Sequence, residues 1–234
     1  MSDTIARIDL NGVNCYLAGN KNGFILFDTG GHLVMDMPFA DRRELLLREL
    51  DAAGCAGNNL NLIVLTHGDN DHACNAAYLK NHFNAKIAMH EGDRKLVENP
   101  TLPDLMESFQ YNSPELQQAF LKNQEIITKV TKKTLDDFER FSPDILLRDG
   151  MSLSAYGLDA TVIHVPGHTN GSIAILTKDG DLIAGDTLVN AEKPGYAFNA
   201  GDFKQLFLSV NKLRKLSIST VYPGHGAPFC FSEI

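Results

Sequence analysis

Thr66-His67-Gly68-Asp69-Asn70-Asp71-His72 carries two imidazoles and two carboxylates directly after an apolar run. Side chains of these types, this close together, can share a divalent cation, and the end of a buried strand is where a loop exposes its ligands. Read without a metal, the same loop would be a polar turn in which Asp71 caps the next helix and His67 lies exposed. Two more clusters weigh against that reading. Pro166-Gly167-His168-Thr169-Asn170-Gly171 follows an apolar run ending at Val165, and Pro223-Gly224-His225-Gly226 follows one ending at Tyr222. Each sets a histidine in a glycine-flanked turn, and Gly185-Asp186 sets a carboxylate in the same way.

Such turns need strands to carry them, and periodicity supplies candidates. Cys15-Tyr16-Leu17-Ala18 and Phe24-Ile25-Leu26-Phe27 flank the turn-forming Gly19-Asn20-Lys21-Asn22-Gly23, which predicts a hairpin. Beyond Asp28-Thr29-Gly30-Gly31, residues Phe39, Leu45, Leu46, Leu50 and Ala53 recur at helical spacing until Gly54. Leu60 to Thr66 reads as a buried strand, followed directly by a helix with Ala73, Ala76, Leu79 and Phe83 on one face and Asp71 near its start. Ala85 to His90 is a further short strand.

Residues 93 to 142 differ in texture, with no strand-like run and three apolar stripes of helical period. Leu102, Leu105, Met106 and Phe109 make the first. Leu116, Ala119, Phe120, Ile127 and Val130 make the second, opened by Ser113 as N-cap and Pro114 at the first helical position. Leu135, Phe138 and Phe141 make the third, ended by Pro143. Strand texture then returns at Ala160 to Val165, Ser172 to Thr177 and Asp181 to Ala184, the last two joined by the hairpin signal Lys178-Asp179-Gly180. A helix over Phe203, Leu206, Phe207, Val210 and Leu213 leads to a final strand at Thr220 to Tyr222. Strands and helices thus alternate in two similar halves around a helical insertion.

The 234 residues fit one large domain, numbered 1–234, in which 93–142 is an insertion acting as lid and pocket wall or as a dimer surface. With 44% hydrophobic and 21% charged residues the chain can bury a core and is not a disordered polymer. The formal net charge of -8, without a Lys/Arg-rich stretch, argues against nucleic acid as a partner. Met1 to Leu10 lacks a signal-peptide core and no long uninterrupted apolar run occurs, so no membrane partner and a cytoplasmic location are expected. Cys15, Cys55, Cys74 and Cys230 form no Cys-x-x-Cys pair and read as small buried residues.

From Asn14 and Asp28-Thr29-Gly30 to Pro223-Gly224-His225-Gly226 the chain resembles the metallo-β-lactamase-fold proteins, on the glyoxalase-II-like side of that superfamily. The resemblance leaves out residues 93 to 142. It implies an α/β fold, an αββα sandwich of two mixed sheets flanked by helices, and a dinuclear metal site at one edge of the sheets. By position, His67, Asp69 and His168 would bind the first metal, Asp71, His72 and His225 the second, and Asp186 would bridge them. A hydroxide held by the two ions would be the nucleophile, with Asp71 orienting it and later carrying a proton. Asp28 or Thr66 would fix histidine tautomers.

One position departs from the family pattern His-x-His-x-Asp-His, because Asp69 stands where the second histidine belongs. A carboxylate is harder than imidazole and favours iron or manganese over zinc more than the parent site does. Two divalent ions bring about +4 and Asp69, Asp71, Asp186 and a hydroxide about -4, where the histidine version would keep about +1. A higher working pH or weaker generic hydrolysis is expected. Aspartate is also shorter than imidazole, and failure of Asp69 to reach the ion would leave a one-metal site.

Asp186 stands where zinc β-lactamases most often have cysteine or serine, which argues against antibiotic hydrolysis. Nine residues follow His225, so the C-terminal helical domain with which glyoxalase II holds its glutathione thioester is not expected. The remaining substrates are small-molecule esters, thioesters, lactones or phosphodiesters. Flavodiiron proteins share the fold and place glutamate at the Asp69 position, so di-iron reduction of oxygen or nitric oxide is a second reading. A non-catalytic metal-binding protein is a third. His32, His82, His90 and His164 fit no motif and are expected on the surface or in satisfied structural roles, with His32 and His90 worth revisiting as neighbours of strand ends. Tyr196 and Phe198 are close enough to Asp186 in sequence to line a pocket, although packing is their default.

Overall fold

The computed structural model describes residues 4–20, 23–33, 39–108 and 110–234. Strands β1 (Thr4–Asp9), β2 (Asn14–Asn20), β3 (Gly23–Phe27), β4 (Leu60–Val64), β5 (Lys86–His90) and β6 (Ile145–Leu147) form one sheet in that order. Its first two junctions are antiparallel and the remaining three parallel. The second sheet uses β7 (Ala160–His164), β8 (Ile173–Thr177) and β9 (Asp181–Gly185). A separate hairpin of β10 (Leu188–Asn190) and β11 (Pro194–Tyr196) follows, and β12 (Thr220–Pro223) and β13 (Phe229–Cys230) return to complete the second sheet in the order β13-β12-β9-β8-β7. There β12 runs parallel to β9 while β7, β8 and β9 alternate in direction.

Side-chain alternation explains why both sheets are covered on both faces. Ile25, Phe27, Leu62 and Val64 point toward Val162, Ile173, Ile175 and Ile183 and form the layer between the sheets. Leu26, Ile63, Ile87 and Met89 face the other way, against helices α1 (Arg43–Ala52), α2 (Asn70–Ala73) and α3 (Ala76–Phe83), through Leu46, Leu50, Ala73, Ala76 and Leu79. On the far side, Ile163, Ala174, Leu182 and Val221 pack on Val210 and Leu213 of a C-terminal helix described below. The result is the αββα sandwich the sequence implies.

The register lines up the exits. Phe27 pairs with Val64 and Val64 with Ala88, while Pro223 pairs with Gly185, so the chain leaves β3, β4, β9 and β12 at level ends of parallel strands. These are the ends that carry Asp28, His67, Asp186 and His225.

Several elements differ from the sequence reading. The first helix begins at Arg43, and Phe39 lies outside it with φ +46°, its ring stacked on His32 at 4.1 Å. The helix expected after β4 is two short ones, because Asn75 leaves helical geometry and donates to the Thr29 and Asp41 carbonyls. A 3₁₀ turn at Glu91–Asp93 leads into the 93–142 segment, which holds α4 (Arg94–Glu98), α5 (Leu102–Met106) and α6 (Pro114–Asp137), the last capped by Ser113, whose Oγ accepts from the Leu116 amide as expected. The third stripe forms no helix of its own: Leu135 is in the last turn of α6, and Phe138 and Phe141 lie beyond its end in extended chain. Helix α7 (Phe203–Leu213) matches its expected span. Strands β1, β6, β10, β11 and β13 and helix α4 were not anticipated. Lys21, Asn22 and Phe109 lie outside the described residues. Among the described residues no helix is long and apolar enough to cross a membrane. Cys15, Cys55 and Cys74 are buried, whereas Cys230 is exposed, against expectation, in a two-residue edge strand.

Candidate metal centre

All seven residues singled out by motif converge at this one edge. His67 leaves β4 and Asp69 precedes α2, whose single turn brings Asp71 and His72 inward. His168 follows β7, Asp186 follows β9 and His225 follows β12. The glycine beside His225 is obligatory, since a Cβ on Gly224 would collide with the Asp186 carboxylate and with the His72 ring. Gly167 is equally constrained, with φ +140° and its Cα facing the backbone of Leu206 in α7.

The donor atoms fall into groups able to hold a cation: His67, Asp69 and His168; Asp71, His72 and His225; and His67, His72 and Asp186 between them. Asp69 Oδ2 is 3.2 Å from His168 Nε2 and 3.9 Å from His67 Nε2. Asp71 Oδ2 is 3.3 Å from His225 Nε2 and 3.7 Å from His72 Nε2. Asp186 lies 3.3 Å from His72 Nε2, 3.2 Å from His225 Nε2 and 3.7 Å from His168 Nε2. Tetrahedral donors at metal bonds of about 2.0–2.1 Å are roughly 3.3 Å apart, so these spacings match a caged divalent ion. Asp69 therefore reaches the cluster despite its short side chain.

Each histidine is oriented from behind. His67 Nδ1 is 3.0 Å from Thr66 Oγ1, which donates to Asp28 Oδ2 at 2.8 Å. His72 Nδ1 is 3.0 Å from the same Asp28 oxygen, and His168 Nδ1 is 3.0 Å from the Asn199 carbonyl. His225 Nδ1 meets the Gly12 carbonyl. These contacts place the protons on Nδ1 and leave Nε2 lone pairs directed into the cluster. The buried Nε2 atoms of His67, His72 and His168 and Oδ1 of Asp186 have no hydrogen-bond partner among the described residues. Such atoms are costly unless something binds them, and cations held between them would satisfy them.

Proton affinities in the metal-free cluster follow from crowding. Burial, helped by the neighbouring His72, lowers the His67 pKa to about 4. Burial also works against charged His168, but the adjacent Asp69 and Asp186 carboxylates outweigh it and raise it to about 9. His72 and His225 are desolvated too, yet Asp186 and Asp71 hold both well above an ordinary histidine. Asp71, although buried, is drawn down to about 2 by His72 and His225. Protons on three histidines thus occupy the positions that cations would take.

Sequence reasoning missed several supports. Asp93, at the start of the insertion, accepts from Gly68 N at 2.9 Å, Thr169 Oγ1 at 2.6 Å and Gly171 N at 2.6 Å, tying the loop of His67 and Asp69 to that of His168. Ser108 Oγ, also from the insertion, is 3.4 Å from Asp69 Oδ2. Asn14 donates to the carbonyls of Pro223 and Gly226 and so fixes the His225 turn. The other histidines stay outside the cluster: His90 stacks on His164 at 3.8 Å, His82 stacks on Tyr78, and His32 is buried with Nδ1 unpartnered among the described residues. Tyr196 and Phe198 are exposed at 49% and 37%, and Phe198 stacks on Tyr111 of the insertion rather than lining the cavity beside the cluster.

Residues 8–225 match the family model described as the metallo-beta-lactamase superfamily. The chain belongs to that superfamily. Its similarity to the hydroxyacylglutathione hydrolase GloC of Haemophilus influenzae is 29% identity over 221 residues, covering 92% of this chain and 85% of that one. A probable metallo-hydrolase of Methanocaldococcus jannaschii is also 29% identical, over 91% of this chain and 87% of its own. Among solved structures, the BLEG-1 B3 metallo-beta-lactamase superposes with a TM-score of 0.69 at 22% identity, covering 98% of this chain and 95% of that one. A protein solved in a di-iron-bound form superposes at 0.64 with 24% identity and the same coverage. The two structures establish the shared fold. With hydrolase relatives over nearly its full length, this member of the superfamily is a metal-dependent hydrolase.

Proposed function

We propose that this protein hydrolyses a small acyl ester, thioester or lactone with two divalent ions, one held by His67, Asp69 and His168, the other by Asp71, His72 and His225, with Asp186 between them. The observation that carries this reading is the set of buried, unpartnered Nε2 atoms directed at one another while every Nδ1 is engaged. The named activity of the GloC relative, cleavage of an acyl-glutathione, supports an acyl substrate. When bound, the ions supply a water of lowered pKa and a Lewis acid for the carbonyl oxygen.

The chain's own groups do the rest. Asp71 orients the attacking water and takes its proton, then returns a proton to the leaving group. Asp28 and Thr66 keep His67 and His72 in the tautomer whose Nε2 faces inward. The cavity of about 280 Å³ over Asp69 and His168 receives the acyl compound, with helices α4 and α5 of the insertion forming one wall. Asp69 favours iron or manganese over zinc.

The test is hydrolysis of a panel of thioesters and lactones by protein loaded with iron, manganese or zinc, with a parallel oxygen-uptake assay. Chelator-sensitive hydrolysis supports the reading. Oxygen consumption without hydrolysis would overturn it in favour of di-iron redox chemistry, and an inert, metal-free protein would overturn it in favour of a binding role.

A further inference from the structure

The cavity beside the cluster has a charge pattern that bears on substrate choice. Its wall toward the cluster is Asp69 and His168, whose buried Nε2 has no hydrogen-bond partner among the described residues, so a molecule in the cavity would sit against the first donor group. Among the described residues the rest of the lining carries one cation, Lys95, and that ammonium is 2.6 Å from Asp104 Oδ1. Asp104 is itself fixed, accepting from Thr101 at the start of α5. Lys95 and Asp104 therefore cancel. Of the other acidic lining residues, Asp93 is buried and engaged by Gly68, Thr169 and Gly171, while Glu107 and Asp202 are exposed at the mouth; the Asp202 carboxylate caps α7, and the Glu107 carboxylate has no partner among the described residues. Two divalent ions held by Asp69, Asp71 and Asp186 together with a hydroxide would have a net charge of about zero, so the loaded centre would add little positive field to offset them.

We infer that this cavity selects neutral or amine-bearing acyl groups and rejects anionic ones. An anionic substrate would meet two like charges at the mouth and no unpaired cation, in a concave site where low-dielectric walls focus the field. Carboxylate-bearing glutathione conjugates and phosphodiesters fall in the rejected class. An ammonium group, by contrast, finds Glu107 available as its acceptor. This inference rests on the proposed acyl hydrolysis for its biological meaning, but binding alone tests it.

Three unreactive amides of one amine, carrying butanoyl, 3-aminopropanoyl and succinyl groups of nearly equal length, isolate the charge. Calorimetry on the metal-loaded protein at low ionic strength is expected to give succinyl binding at least about tenfold weaker than butanoyl, with 3-aminopropanoyl as tight or tighter. The succinyl penalty should shrink toward twofold near 1 M salt, where the Debye length is about 3 Å, and should fall in Glu107→Gln. The matched thioesters should follow the same order in kcat/KM. If none of them turns over while the amides keep this order, the acyl-hydrolase reading fails and the charge selection stands. Equal affinity of the three amides at low salt would overturn the inference, as would a succinyl preference that Lys95→Met abolishes, because the lysine would then leave Asp104 to hold an anion.

Discussion

Asp28 Oδ2 lies 3.0 Å from His72 Nδ1 and also accepts the Thr66 hydroxyl that backs His67. One buried carboxylate thereby sets the ring orientation of a histidine in each of the two outer donor groups. Asp28 holds this position with φ +59°, a conformation that aspartate and asparagine tolerate better than other residues with a Cβ.

Asp28→Asn keeps the backbone conformation and the acceptor for Thr66 N but turns Oδ2 into an amide donor. His72 would then accept at Nδ1 and carry its proton on Nε2, the wrong tautomer for a ligand. Metal affinity is expected to fall by about 10–100-fold with little loss of fold. Chelator competition, with circular dichroism as the control, measures both.

Asp69→His restores the family pattern and adds about one positive charge to the loaded centre. A more positive centre acidifies a bound water further, so the acidic limb of the pH-rate profile should move down. Zinc should also gain on iron in competition. Superimposable profiles for the two proteins would remove the charge argument.

Asp93 joins two ligand loops, and Asp93→Ala would strand the Gly68 and Gly171 amides and the Thr169 hydroxyl. A loss of about 2–4 kcal/mol in urea unfolding is expected, with weaker metal retention. Burial raises this carboxyl from 3.8 to about 6 against the pull of its hydrogen bonds. Between those values the folded chain keeps a proton that the unfolded chain has lost. Its contribution to stability therefore rises as pH falls through that window, by about 3 kcal/mol at most, and Asp93→Asn should remove the slope.

Metal loading should release protons. In the metal-free protein His168 titrates at about 9, and His72 and His225 are also raised. At neutral pH all three carry protons that a cation must displace, so apparent affinity should climb as pH rises toward 9. The stability that His168 gives the metal-free fold is present in full below an ordinary histidine pKa and is lost as pH rises through about 9. Calorimetry in buffers of different ionisation enthalpy counts the protons, and fewer than one per chain would contradict the assignment.

The clustering of the seven side chains was legible because most of them sit in a short turn whose glycines and prolines announce it and whose preceding strand is apolar. His168, Asp186 and His225 could each be placed at a strand end without knowing what lay beside them. Asp93 and Asn199 were not legible, because their roles exist only across contacts of long sequence separation. Helix α6 runs past the end of its apolar stripe for a local reason. Its buried face continues through Thr131 and Thr134, whose hydroxyls bond back to the Ile127 and Thr131 carbonyls, so an apolar count sees a break where the helix runs on. Phe39 shows the converse, an aromatic at helical spacing from Leu46 that packs on His32 instead of continuing the helix.

Anomalous diffraction at the absorption edges of iron, manganese and zinc, on crystals of protein purified without added metal and then reloaded, tests the two-ion centre most directly. Two peaks about 3.5–4 Å apart are expected, one bounded by His67, Asp69 and His168, the other by Asp71, His72 and His225, with Asp186 reaching both. A single peak, or none within reach of these side chains, would contradict it.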